Sequence, residues 1–312
     1  MINQMINKSF LRGSMLAVFG LLTQSAVQAQ GCSDAGFCTI GALKQHAQAD
    51  SAKQRVTLLL PLGLGDQSVL VFTPGLQYDR IFSARWAIQA KLTANYASGD
   101  LGSVTGLGDV FLSGTYSFPA KARWRTGLTL GAKLPLSNAN LKVNGNPLPM
   151  QYQSSLGTVD LIMGLSVNSS RWQLSAGWQQ PLTGSNANMF LPGSDTRPEA
   201  RAYPPSNQFN RKADVLGRAA YTLLNQSRLN LNIGLLGIYH LGQDTYNDQN
   251  SRSLAITGSE GLTLNATVAG WYNLSTKIRL GFTVGMPLIV REVRPDGLTR
   301  SFVFAPEVSW SF

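Results

Sequence analysis

Thr158-Val159-Asp160-Leu161-Ile162-Met163-Gly164-Leu165-Ser166-Val167-Asn168 alternates almost without fault. Val159, Leu161, Met163, Leu165 and Val167 fall on one face, and Thr158, Asp160, Gly164, Ser166 and Asn168 on the other; Ile162 alone breaks the polar row. A period of two is the signature of a strand, in which successive side chains point to opposite sides, and a helix turning about 100° per residue would not keep that register. The rhythm recurs at 276–291, where Ile278, Leu280, Phe282, Val284, Met286, Leu288 and Val290 interleave with Lys277, Arg279, Gly281, Thr283 and Gly285. It recurs again at 54–62, 67–80, 84–98, 107–118, 122–136, 171–181, 212–223, 228–241, 261–274 and 300–312, which makes twelve segments in all.

Segments of about ten residues that alternate in this way suit a membrane-spanning β-barrel, where one face meets hydrocarbon and the other the lumen. The expected fold class is therefore all-β: a closed antiparallel transmembrane β-barrel of about twelve strands over 54–312. An even count places both chain ends on one side, with short periplasmic turns there and longer extracellular loops opposite. The connections follow that parity. Phe118–Lys121, Asn168–Arg171, Asn225–Arg228 and Asn273–Thr276 are short and polar, whereas 137–156, 182–211 and 242–260 are long and rich in Asn, Gly, Pro and Ser.

The totals exclude other classes. The 312 residues are 44% hydrophobic and 13% charged, with 31 glycines, too apolar for a disordered chain. Beyond residue 30 no apolar run approaches the roughly 18 residues of a membrane helix. Residues 1–29 read as an export signal peptide, with Lys8 and Arg12 in the n-region, Met15–Leu22 as the apolar stretch and Val27-Gln28-Ala29 as the cleavage site. Removing it takes the formal net charge from +10 to +8. The scattered basic residues form no patch or recognition helix, so nucleic acid is not an expected partner; outer-membrane lipids and lipopolysaccharide are. The expected location is the bacterial cell outer membrane.

Residues 30–53 form a short periplasmic segment holding Cys32 and Cys38, the only cysteines. In an oxidising compartment a small-loop disulfide is the first expectation, with lipid attachment at Cys32 as the alternative. No metal site or cofactor is expected from two cysteines and a distant His46. Trp86, Tyr116, Phe118, Trp124, Trp172, Tyr221, Tyr272 and Trp310 fall near the periplasmic strand ends on the outward register, as an aromatic belt requires. The final strand, Phe302–Phe312, alternates and ends in Phe312; it resembles the C-terminal signature that the barrel-assembly machinery recognises.

Thr105-Gly106-Leu107-Gly108-Asp109-Val110-Phe111-Leu112-Ser113-Gly114-Thr115-Tyr116 resembles the Gly-x-Gly-Asp strand opening of barrels grouped with the MetA-like phenol-degradation and aromatic-compound transporter family. The resemblance covers one strand. It implies passage of small, often apolar molecules through the outer membrane and brings no catalytic residues.

On the outward register given above, the inward, lumen-lining set includes Arg85, Lys91, Asp109, Arg125, Lys133, Asp160, Asp214, Arg218, His240, Arg279 and Glu307, with Phe111, Ile162, Leu216, Leu236, Ile238, Trp271 and Val303 among them. The opposed charges either bridge across the lumen or line a polar constriction. Phe111 and Trp271 either fill a narrow barrel or stack against an aromatic solute. The loop 182–211, with Arg197, Arg201 and Arg211 beside Asp195 and Glu199, is expected as a solvated external loop, with an inward-folded constriction as the alternative. Enzymatic activity is not expected: His240 lacks the serine two positions on that outer-membrane phospholipases place beside their histidine. The expected function is a channel or transporter for small, apolar or aromatic solutes; the alternatives are a non-conducting anchor whose loops bind a partner and, behind it, a barrel lipid hydrolase.

Overall fold

The computed structural model describes residues 53–119, 123–297 and 300–312. The signal peptide, the 30–53 segment up to residue 52 and the Cys32–Cys38 pairing lie outside the described residues.

The strands are β1 (Gln54–Leu59), β2 (Leu62–Gly65), β3 (Leu70–Phe72), β4 (Gly75–Ile81), β5 (Trp86–Gly99), β6 (Gly102–Ser117), β7 (Arg125–Pro135), β8 (Lys142–Val143), β9 (Asn146–Pro147), β10 (Asp160–Asn168), β11 (Trp172–Pro181), β12 (Asp214–Asn225), β13 (Leu229–His240), β14 (Thr245–Asn247), β15 (Ser253–Ala255), β16 (Gly261–Asn273), β17 (Ile278–Ile289) and β18 (Arg300–Ser311). β8–β9 and β14–β15 are small hairpins outside the wall. The others make a closed barrel of twelve antiparallel staves, because β1–β2 together form the first stave and β3–β4 the second. Closure is made by β1 against β18, Arg55 opposite Ser311 through Leu59 opposite Glu307, and by β2 against β18. The ring leaves no open edge, which is what lets a sheet sit where water cannot satisfy backbone groups.

The breaks in the first two staves have a sequence cause. Pro61 and Pro74 carry no N–H, so each interrupts the ladder where it falls. Their carbonyls are still used: Thr73 N donates to Pro61 O at 3.0 Å and Ala94 N to Pro74 O at 2.9 Å. In the next two staves the register shifts between Leu92 and Ala94, opposite Gly108 and Asp109. The Gly-x-Gly-Asp run is thus not a strand opening, since β6 starts several residues earlier, at Gly102. Its glycines are needed for close approach. A Cβ on Gly108 would collide with the Thr93 hydroxyl, and one on Gly106 would come within 2.6 Å of Ser154 Oγ.

Alternation resolves as two surfaces. In β10, Leu165 is 52% exposed while Ile162 is fully buried. Leu92, Leu112, Leu130, Val215, Leu235, Val268, Leu280 and Phe304 likewise face outward and are exposed, giving the cylinder an apolar outer belt. An exposed apolar surface of that extent marks contact with another apolar phase. Trp86, Phe118, Trp124, Trp172, Tyr272 and Trp310 lie exposed at the short-turn end, and Tyr96 and Tyr239 at the other.

Candidate functional site

The site is the lumen and the loops over its far end. Inward positions in the short-turn half are mostly uncharged and polar. Thr57 and Ser309 bond across β1 and β18 at 2.9 Å, and Thr115 and Thr129 across β6 and β7 at 2.9 Å. Gln77 and Gln89 both donate to Asp79, at 2.5 and 2.7 Å.

The structure places Lys91, Asp109, Phe111, Lys133, Asp160, Asp214, Arg218, His240 and Trp271 inside the barrel, all buried. Arg279 and Glu307 are half-buried on the inward register nearer the short-turn end, and Arg125 is exposed at that rim. Arg85 does not face the lumen: it sits exposed in the turn between β4 and β5, one residue before the first residue of β5.

Several of these residues meet. Lys133 Nζ pairs with Asp160 at 2.9 Å, and Asp160 also accepts from Thr158 Oγ1 and Gln179 Nε2, both at 2.6 Å. Lys91 stands over the Phe111 ring at 5.2 Å from its centroid, and Arg279 over Trp271 at 5.6 Å. One face of each aromatic ring is therefore taken by a cation of the wall. Asp109 accepts from Ser155 Oγ of the 136–159 loop at 2.6 Å.

At the long-loop end a charged network crosses the mouth. Arg211 pairs with Asp214 at 2.5 Å and with Asp296 at 3.3 Å. Asp296 is also paired with Arg291, whose Nη1 donates to Ser259 O at 2.8 Å. His240 places Nδ1 2.7 Å from Asp214 and Nε2 2.9 Å from Asp244. Both ring nitrogens are occupied by carboxylates, so neither takes a proton from a serine, and the histidine works as a tie rather than a base. Burial alone would raise the Asp296 carboxyl, but Arg291 and Arg211 beside it hold it well below the usual carboxylate range.

Above this network the long loops pack into a cap. Val69, Leu101, Leu148, Tyr152, Phe190 and Tyr203 form one buried apolar cluster, and Met150, Leu156, Phe209 and Ile256 another. Tyr152 Oη accepts from Leu101 N at 3.1 Å and bonds Tyr203 Oη at 3.2 Å. Asn188 Nδ2 donates to Ala139 O and Leu148 O at 2.8 and 3.0 Å, joining two loops with one side chain. Arg197 pairs with Asp195 and donates to Leu101 O and Pro147 O at 3.1 and 3.3 Å; its hydrogen bond lowers the Asp195 carboxyl below its ordinary range. The 182–211 loop is thus not a solvated excursion but a structural part of a lid. Its Phe190, Tyr203 and Phe209 make it so, because burying each aromatic contributes roughly 1.5–3 kcal/mol. A cavity of about 40 Å³ remains beneath it, between Thr93, Asn95 and Phe111 of the wall and Gln151 and Ser155 of the cap.

Sequence reasoning did not single out Tyr152, Asn188, Asp244, Arg291 or Asp296. Tyr152, Asn188, Asp244 and Asp296 lie in connections without periodicity and Arg291 at the very end of its alternating segment, and their reach is across the chain: Tyr152 meets Tyr203, Asn188 meets Ala139, Asp296 meets Arg211 and Arg291 meets the Ser259 carbonyl, while Asp244 meets His240 at the end of β13.

No family model matches the chain, and no curated protein does. Among solved structures it is similar to the NanC porin (8% identity, 83% of this chain and 98% of that one, TM-score 0.46). It is similar also to the CymD monoaromatic hydrocarbon channel (9%, 93% and 95%, TM-score 0.45) and to the translocator domain of autotransporter NalP from Neisseria meningitidis (8%, 97% and 96%, TM-score 0.44). At these values the likenesses say nothing about solute or activity.

Proposed function

We propose that the protein is a capped outer-membrane channel for small solutes bearing both polar and apolar surface. The barrel spans the membrane through its apolar belt, with the short turns in the periplasm and the cap outside. The observation that carries the channel reading lies at mid-lumen. Ser175 Oγ, Asn232 Oδ1, Thr267 Oγ1 and both polar ends of the Asn265 side chain are buried and have no protein hydrogen-bond partner. Strand register sets Asn265, Leu236, Arg218 and Ser175 in one row across four staves, with Thr267 two positions along. An interior built only to hold a wall together pairs its polar groups, since each one left unmet costs about 1–3 kcal/mol. Polar atoms left for water or a passing solute suit a conducting lumen. Leu216, Leu236, Ile238 and Trp271 beside them supply the apolar component.

The second reading, an anchor that displays a recognition surface, is favoured by the packing of the cap. One experiment separates the two. Asn186 N donates to Phe209 O at 2.9 Å, so the ends of the intervening segment already lie side by side. Replacing residues 187–208 by a short Gly-Ser linker removes half the cap and spares the wall. The channel reading expects weak planar-bilayer conductance from the intact protein and a severalfold rise in the variant. A folded variant that stays silent overturns it and leaves the anchor.

A further inference from the structure

Six staves rise from the short-turn end, and each is preceded by a cation. Lys53 stands before β1, Arg85 before β5, Arg123 two residues before β7, Arg171 before β11, Arg228 before β13 and Lys277 before β17. All six side chains are exposed. The five turns that supply the last five of them contain no Asp or Glu. The long loops at the other end, by contrast, mix both signs, with Asp195, Glu199, Asp248 and Glu260 among their cations.

The turn geometry repeats as well. Ser83 Oγ accepts from the backbone N–H of Arg85 and Trp86, both at 3.2 Å. Ser169 Oγ does the same for Arg171 and Trp172 at 3.4 and 2.9 Å, and Ser275 Oγ for Lys277 and Ile278 at 3.2 and 3.1 Å. In these three turns a serine two residues before the cation fixes the backbone, so the cation leaves the rim at the same point. The next residue starts the outer belt: Trp86 stacks on Tyr116 and Trp172 on Tyr221, with centroids 4.9 Å apart in each pair. Arg171 also donates to Tyr221 Oη at 2.8 Å.

We infer that this ring binds the phosphate headgroups of anionic phospholipids in the periplasmic leaflet. The inference rests on the membrane-spanning reading proposed above. Interfacial aromatic rings set the depth at which headgroups begin, and the cations lie just beyond them, at the level of phosphate. Arginine suits that level because its planar fork meets phosphate oxygens two at a time. Each cation near such a surface is expected to strengthen lipid binding about fivefold at low salt.

The test uses the full chain folded into phosphatidylcholine vesicles with and without phosphatidylglycerol. Phosphatidylglycerol should slow urea-induced unfolding of the wild-type protein severalfold, an effect that fades with added salt. Native mass spectrometry should show retained phosphatidylglycerol. The triple variant R85Q/R171Q/K277Q should lose most of both effects, and the single R171Q variant a part. The triple K142Q/R201Q/R252Q, which removes exposed cations at the loop end, should keep both. An equal response of all variants to phosphatidylglycerol overturns the inference. Wild-type protein that stays soluble and never enters phosphatidylcholine vesicles fails at an earlier step, overturning the membrane reading and the inference with it.

Discussion

His240 closes β13, and its Nε2 lies 2.9 Å from the carboxylate of Asp244, four residues further along the chain in the loop that follows. Its other nitrogen holds Asp214 at the start of β12. The ring therefore pins a loop of the cap to two staves of the wall. His240→Ala should leave Asp244 and Asp214 short of a partner inside the mouth, a loss of about 3–5 kcal/mol for a broken buried pair. The expected outcome is faster protease cleavage within 242–260 and higher conductance, with the wall intact by circular dichroism. Lipid hydrolysis should be absent from both proteins.

Acid should loosen the same region through Asp296. A carboxyl held below its ordinary value by Arg291 and Arg211 stabilises the cap fully above the unfolded value, near 4, and that contribution is lost as pH falls through the lowered one. Protease sensitivity of the cap should accordingly rise below about pH 4 and stay flat from there to neutrality as far as this group is concerned. Asp296→Asn should show the loosened state already at neutral pH; an unchanged acid profile in that variant would remove Asp296 from the account.

Gly297 is required by its surroundings. Its φ is +68°, and a Cβ there would lie 2.5 Å from the Met150 carbonyl oxygen and 2.6 Å from its carbon. Backbone cannot yield as a side chain tip can. Gly297→Val should displace the 136–159 loop from the β17–β18 connection and open the cavity beneath it, seen as increased conductance or as faster thiol labelling at Gln153→Cys. The left-handed backbone adds about 1–2 kcal/mol of strain of its own.

The Lys133–Asp160 pair gives the clearest energetic contrast. Both side chains are buried, so Asp160→Asn alone should lower stability in detergent by about 3–5 kcal/mol. Lys133→Met combined with Asp160→Leu should recover most of that loss, because two apolar groups of similar size need no partner. The measurement is the urea midpoint of the three proteins. Equal midpoints for all three proteins would mean that the pair contributes nothing to the wall.

Much of this was legible in the residues. Leu165 exposed and Ile162 buried on opposite faces of one stave is what a period of two implies once one face meets an apolar phase, and Ile162, which broke the polar row, proved to be inward all the same. Lys91, Lys133, Asp160 and Trp271, expected inward from the alternation, are buried. Arg85 fell within the expected segment 84–98, but β5 starts only at Trp86, and a count by twos has no meaning once the chain is in a turn. The expected segments 54–62 and 67–80 run through Pro61 and Pro74, and only pairing showed that the ladder breaks there while the two halves on either side stay in one stave.

The wall follows from local pattern: alternation fixes which side each strand residue faces, and short turns fix which strands are neighbours. The cap does not follow from any such pattern. Tyr152 meets Leu101 and Tyr203, and Asn188 reaches Ala139 and Leu148, across separations of 40 to 51 residues that no local pattern encodes. Loop contacts are chosen by where the barrel holds the loop ends, and that geometry exists only once the ring has closed.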